Sequence, residues 1–223
     1  RVELCAGIPE GGTTPSYGEI KTARRVLTTT RLHVIIRPRG GDFLYSPLEL
    51  ERMAADIDIA RELGADGVVF GCLRPDGSLD TEANAMLMEH AKGLSVTFHR
   101  AFDRCADPRK ALEELIAQGF DRILTSGQQP TALEGTPLLK ELHEQANGRI
   151  ILLAGCGVNE QNIATIAQAT AIHEFHFSAR TAVKSKMMFS NPDVYMGAKD
   201  ADEDTLNITS AERVANTIAQ LCK

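Results

Sequence analysis

The stretch from Leu94 to Gly127, "LSVTFHRAFDRCADPRKALEELIAQGFDRILTSG", decides the fold. It opens on a short apolar, β-branched run, "LSVTFHRAFD", that reads as a strand. Asp107 then offers a side-chain acceptor for the free N–H groups of a first helical turn, and Pro108 suits the first helical position because its φ is already set. From Pro108 to Gln118 the apolar residues Leu112 and Leu115 recur with the helical period. A glycine, Gly119, follows the last turn, as helix ends favour. The next run, "DRILTSG" from Asp121, is again too short for a helix of average length. Strand, helix and strand in this order make a crossover unit, which sets the two strands parallel.

The same unit repeats on both sides. Further strand-like runs are "RVELCAG" from Arg1, "RLHVIIRPRGG" from Arg31, "DGVVFG" from Asp66, "RIILLAGCG" from Arg149 and "IHEFHFSAR" from Ile172. Helical spacing is predicted over 48–63 through Met53, Ile57 and Ala60, then over 81–91, 137–144, 160–168 and 210–221. Seven strands are counted, and a closed barrel of this kind has eight. Because the sequence opens inside a strand, the expected fold is an α/β (β/α)8 TIM barrel whose first strand and helix precede Arg1. An open doubly wound sheet is disfavoured, since no GxGxxG follows the first strand and polar residues end nearly every strand. The whole of 1–223 is expected to be one domain. Residues 179–209, with "MMFSNPDVYMG" and "AKDADEDT", show no periodicity and are expected to be irregular, folding over a barrel end or serving as a subunit contact.

Composition narrows the function. The net charge is −6 and the basic residues are scattered, which gives no nucleic-acid footprint. No apolar run is long enough to span a membrane. The five cysteines, Cys5, Cys72, Cys105, Cys156 and Cys222, are widely spaced without a zinc-ribbon pattern, as in a reducing compartment. None of the expected barrel strands carries a lysine, so Schiff-base aldolase chemistry is disfavoured.

Side chains alternate across a strand, so Glu3 and Cys5 share a face, as do Thr97 and His99, and Glu174, His176 and Ser178. If those faces point inward, Glu3, Cys5, Arg37, His99, Ser126, Glu174 and His176 converge in the upper layers of the barrel. Charged groups there cost stability unless paired, so either a site or a self-neutralising network is expected. In "FHRAFD", His99 is a candidate general acid or base or a metal ligand, with Arg100 beside it and Asp103 placed to hold a partner. In "IRPRGGDFLYS", Arg37, Arg39 and Asp42 suit carboxylate or phosphate recognition, against a plain Arg–Asp loop clamp as the alternative. Gly155 and Gly157 after one strand, Ser178 after the next, and Ser126 with Gly127 are candidate anion-binding positions. Glu3, His99, Asp103, Glu174 and His176 form the candidate acid–base set, and Cys5, His99 and His176 the candidate metal ligands.

Seven ordered blocks, "RVELCAG", "EGGTTPS", "IRPRGGDFLYS", "ADGVVFG", "VTFHRAFD", "RILTSG" and "EFHFSAR", together resemble the copper homeostasis family called CutC. The resemblance runs from Arg1 to Gly197 and implies a cytoplasmic (β/α)8 barrel that forms homo-oligomers, dimers or tetramers. It also implies copper binding, as Cu(I), in which the first-block thiol falls on Cys5. The family's pocket falls on Glu3, Arg37, Arg39, Asp42, His99, Arg100, Asp103, Glu174 and His176. A pocket with these arginines, glutamates and histidines suits a small anionic metabolite better than Cu(I) alone, so the alternative to copper homeostasis is a barrel enzyme, an isomerase, lyase or hydrolase, acting on a small phosphorylated or carboxylated metabolite.

Overall fold

A computed structural model of the chain describes residues 1–191, 193, 194, 196 and 202–222, without the side chain of residue 222. Seven parallel strands form one sheet in strict sequence order: β1 (Val2–Leu4), β2 (Leu32–Ile35), β3 (Gly67–Phe70), β4 (Ser95–Phe98), β5 (Arg122–Thr125), β6 (Ile151–Gly155) and β7 (Glu174–His176). The crossovers carry helices α1 (Tyr17–Val26), α2 (Pro47–Glu62), α3 (Thr81–His90), α4 (Pro108–Gln118), α5 (Thr136–Ala146) and α6 (Ile163–Thr170). The sheet curls until side chains of its two edge strands meet, Arg1 before β1 reaching Glu174 at 2.9 Å and His176 Nδ1 lying 3.8 Å from Glu3. No backbone pairing joins β1 to β7 among the described residues, so the fold is TIM-barrel-like and lacks a closing strand.

The strands are apolar on both faces because both are covered. Leu32, Val34, Ile36, Val68, Phe70, Val96, Phe98, Ile123, Leu152 and Ala154 point outward and pack under the helices in the main core. Ile35, Val69, Thr97, Leu124 and Leu153 alternate with them and fill the barrel interior. Phe98 is wholly buried, with its ring edge-on to Phe120 at 5.5 Å, and Phe120 meets Phe70 at the same distance. Phe98→Ala would leave an aromatic-sized cavity between barrel and helices, and a loss of about 3–5 kcal/mol is expected. Chemical denaturation checks it, and a loss under about 1 kcal/mol would mean that the site collapses to fill the void.

Helix α1 was not among the predicted helices. Its signal is local: Ser16 accepts from Glu19 N–H while the Glu19 carboxylate accepts from Ser16 N–H, a reciprocal cap repeated by Ser46 and Glu49 at α2. The stretch expected to be irregular holds an antiparallel pair, β8 (Arg180–Lys184) and β9 (Thr205–Thr209), followed by α7 (Ala211–Ala219). Lys184 therefore does end a strand, in this hairpin and not in the barrel. Arg213 ties α7 back to Glu160 at 3.1 Å and to the Arg180 carbonyl at 2.6 Å. The irregularity expected across 192, 195 and 197–201 lies outside the described residues.

Candidate functional site

The carboxyl ends of the strands bring Cys5, Arg37, His99, Arg100, Ser126 and Gly155 around the barrel mouth. Arg37 follows β2 with an inward side chain that is buried. Its Nη1 donates to the carbonyls of Glu10 (2.7 Å) and Gly12 (3.0 Å), and its Nη2 to that of Gly41 (2.9 Å). The guanidinium thus ties the loop after β1 to the loop after β2. His99, which follows β4, is equally buried, and its Nδ1 accepts from Ala101 N–H at 3.3 Å, which places the ring proton on Nε2. Burial, reinforced by the Arg37 charge, pushes its pKa down to about 3, so the imidazole is neutral at ordinary pH. The ring of Phe43, from the loop after β2, lies 4.9 Å from the His99 ring and 5.0 Å from Arg37 Cζ.

Other residues singled out in the sequence serve the scaffold. Asp103, with a side chain only 7% exposed, accepts from Thr125 Oγ1 (2.6 Å), Ser126 N (3.0 Å), Gln128 N (3.2 Å) and Arg100 Nε (2.7 Å). It is the acceptor around which the loop after β5 is wound. Ser126 spends its hydroxyl hydrogen on the Gln129 carbonyl at 2.6 Å and accepts from Arg100 at 3.1 Å. Gly127 has a positive φ of 67° and packs against Gly135, where any β-carbon would strike the Gly135 carbonyl. At Gly155 a β-carbon would stand 2.5 Å from Leu124 Cδ1, so the absent side chain serves packing inside the barrel. Arg39 bonds Asp42 at 3.0 Å and Glu49 at 2.6 Å, fastening the loop after β2 to the first turn of α2. That is the clamp reading. Gly157 and Ser178 are exposed in the loops after β6 and β7.

Glu174 departs from its expected place. It stands at the amino-terminal end of the barrel, bonded to Arg122 Nε at 2.8 Å and to Arg1 at 2.9 Å, while Arg122 also donates to Ser95. Burial raises its pKa, but the hydrogen bonds from Arg122 and Arg1 outweigh this and hold it below the usual carboxylate value. That end of such a barrel serves stability. His33 lies there too, buried among Arg1 and Arg122, with a pKa lowered to about 4 chiefly by desolvation. Sequence reasoning missed His33 and Arg122, although their alternation with Ile35 and Leu124 marked them as inward. Two open depressions, of about 780 and 640 Å³, also lie at the amino-terminal ends of the strands, lined by residues such as Asp121 and Arg122 in one and Arg24 and Asp66 in the other.

Glu3 and His176 meet across the seam between β1 and β7, with Cys5 next on the Glu3 face of β1. Burial and then the Glu3 charge push the Cys5 thiol above its ordinary pKa, so it is protonated. Among the described residues no three His, Cys, Asp or Glu side chains are grouped so as to hold a metal ion. His99 therefore does not join Cys5 and His176 in the expected ligand set.

Fold and mouth together define a TIM-barrel-like protein that buries polar side chains, Arg37 and His99 among them, at the carboxyl ends of its strands. The model of the CutC family matches residues 1–181, and the chain belongs to that family. A CutC family protein of Bacteroides thetaiotaomicron is 67% identical over 98% of this chain and 88% of its own length. The human copper homeostasis protein cutC homolog is 48% identical over 99% of this chain and 81% of its own. A crystal structure of a CutC protein from Streptococcus agalactiae superposes with a TM-score of 0.77 at 42% identity, covering 79% of this chain and 87% of that one. Among the described residues no helix is long and apolar enough to cross a membrane.

Proposed function

We propose that this chain serves copper homeostasis, the role in the name of its human relative, and that Cys5 is the thiol that meets the ion as cargo. One observation carries this reading: the half-buried Cys5 thiol follows β1 at the barrel mouth, with Glu3 on the same face and His176 across the seam. Thiolate is the soft ligand that Cu(I) prefers, and binding must displace the thiol proton, so affinity weakens as pH falls. Because no third ligand completes a cage among the described residues, the ion is held at low coordination by Cys5 and one neighbour. An anaerobic Cu(I) competition titration tests this. One tight equivalent is expected in the wild type and in His99→Ala, and none in Cys5→Ser. Equally weak binding by all three proteins would sink the reading.

A second reading, an enzyme acting on a small carboxylated or phosphorylated metabolite, is favoured by a different observation. His99 presents a neutral imidazole whose Nε2–H is buried without an acceptor at the mouth, the end where barrels of this kind place their chemistry. In that reading His99 polarises a substrate oxygen, and Glu3 or His176 moves the proton. Asp103 and Glu174 hold the scaffold and take no step.

A further inference from the structure

Three of the five N–H groups of the Arg37 guanidinium are engaged by backbone carbonyls. Nε–H and one hydrogen of Nη2 are not taken by these carbonyls, and the Tyr45 hydroxyl lies beside the group. Nε is buried and has no partner, and no carboxylate lies within ion-pair distance of Arg37 among the described residues. A buried cation without a counter-charge is costly, and carbonyl dipoles offset only part of that cost. His99 Nε2–H, on the next strand but one, is a second buried donor with no acceptor. The Phe43 ring packs against both groups. The Tyr45 hydroxyl, beside the same guanidinium, is a third buried group without a well-formed hydrogen bond.

We propose that the Nε and Nη2 side of Arg37 and the His99 Nε2–H bind a small monocarboxylate at the barrel mouth, with the Phe43 ring against its apolar part. The Nε and Nη2 side of a guanidinium is a fork that donates to the two oxygens of a carboxylate side by side. The charge balance chooses the ligand class. Arg37 supplies one positive charge, while the imidazole and the phenol are neutral, so a monoanion leaves the site neutral and a phosphate dianion leaves it with a buried negative charge. The next cation, Arg100, is already paired with Asp103.

This inference rests on the second reading only in placing a ligand at the mouth, and it is independent of copper. Its test is binding without turnover, so failure to bind and failure to catalyse are separate results. The full chain, labelled with 15N, is titrated at about pH 8.5, where inorganic phosphate is almost wholly the dianion, with acetate, with glycolate and with inorganic phosphate, following the ring nitrogens of its histidines. A saturable shift confined to His99 Nε2 is expected with the carboxylates and none with phosphate. His99→Phe keeps a ring against Phe43 and is expected to weaken carboxylate binding about tenfold or more, measured by calorimetry. If that variant fails to fold, the wild-type titration decides by itself. A response to phosphate alone would overturn the charge argument. No saturable response to any of the three would overturn the site and assign the free donors to enclosed water.

Discussion

Lowering the pH from 7 to 5 is expected to cost this protein several kcal/mol of folding stability, with most of the loss starting below pH 6.5. The cause is the pair of buried neutral histidines. His99 titrates near 3 in the folded chain and His33 near 4, against about 6.5 for a free imidazole. Both folded values lie below the unfolded one, so under acid conditions the unfolded chain binds protons that the folded chain refuses. Stability is therefore fully present above the unfolded pKa and falls as pH drops from there towards the folded values. For His99, wholly enclosed, this amounts to about 2 kcal/mol at pH 5, and His33 adds to it with the same sign. Against a total stability of roughly 5–15 kcal/mol, that is a large share. Urea denaturation at pH 7, 6 and 5 checks it, with His99→Gln as the comparison expected to flatten the profile. A wild-type midpoint that holds constant from pH 7 to 5 would show that the two rings reach solvent.

Asp103→Ala is expected to cost about 3–5 kcal/mol, because it removes the acceptor of several hydrogen bonds and leaves the Ser126 and Gln128 amides and the Thr125 hydroxyl facing an apolar wall. Arg100 sits at the exposed end of the same network, its side chain 43% exposed. Truncating it to alanine should cost under about 1 kcal/mol, since the remaining donors still satisfy Asp103. Thermal melts of the two variants side by side separate a scaffold role from a catalytic one. Equal and small losses would return Asp103 to the list of groups free to act on a ligand.

Several residues of the candidate site stand out in the sequence, while others named with them lie at the opposite end or are bonded to the chain's own groups. Arg37, His99, Glu3 and Cys5 were found because they replace branched apolar residues on inward faces, and the structure sets Arg37 and His99 against one ring. Glu174 satisfied the same rule and lies at the other end. Arg39, Asp42 and Asp103 have the residue types of a binding loop, yet their partners are the chain's own groups. Nothing local distinguishes a carboxylate that waits for a ligand from one that has already spent its lone pairs on a distant loop.

What the sequence by itself determined is the order and direction of seven strands and the face of each strand that turns inward. Those properties follow from short-range physics, the helical and strand periods and the capping groups between them. Only the tertiary structure decided at which end of the barrel an inward residue sits. Alternation reports the face of a side chain, while its height depends on the stagger of seven neighbouring strands, which is a collective property. The same holds for the β8–β9 pairing, whose strands are separated by 20 residues. It holds too for the unpaired donors of Arg37 and His99, which exist because of where three loops close and not because of the residues beside them.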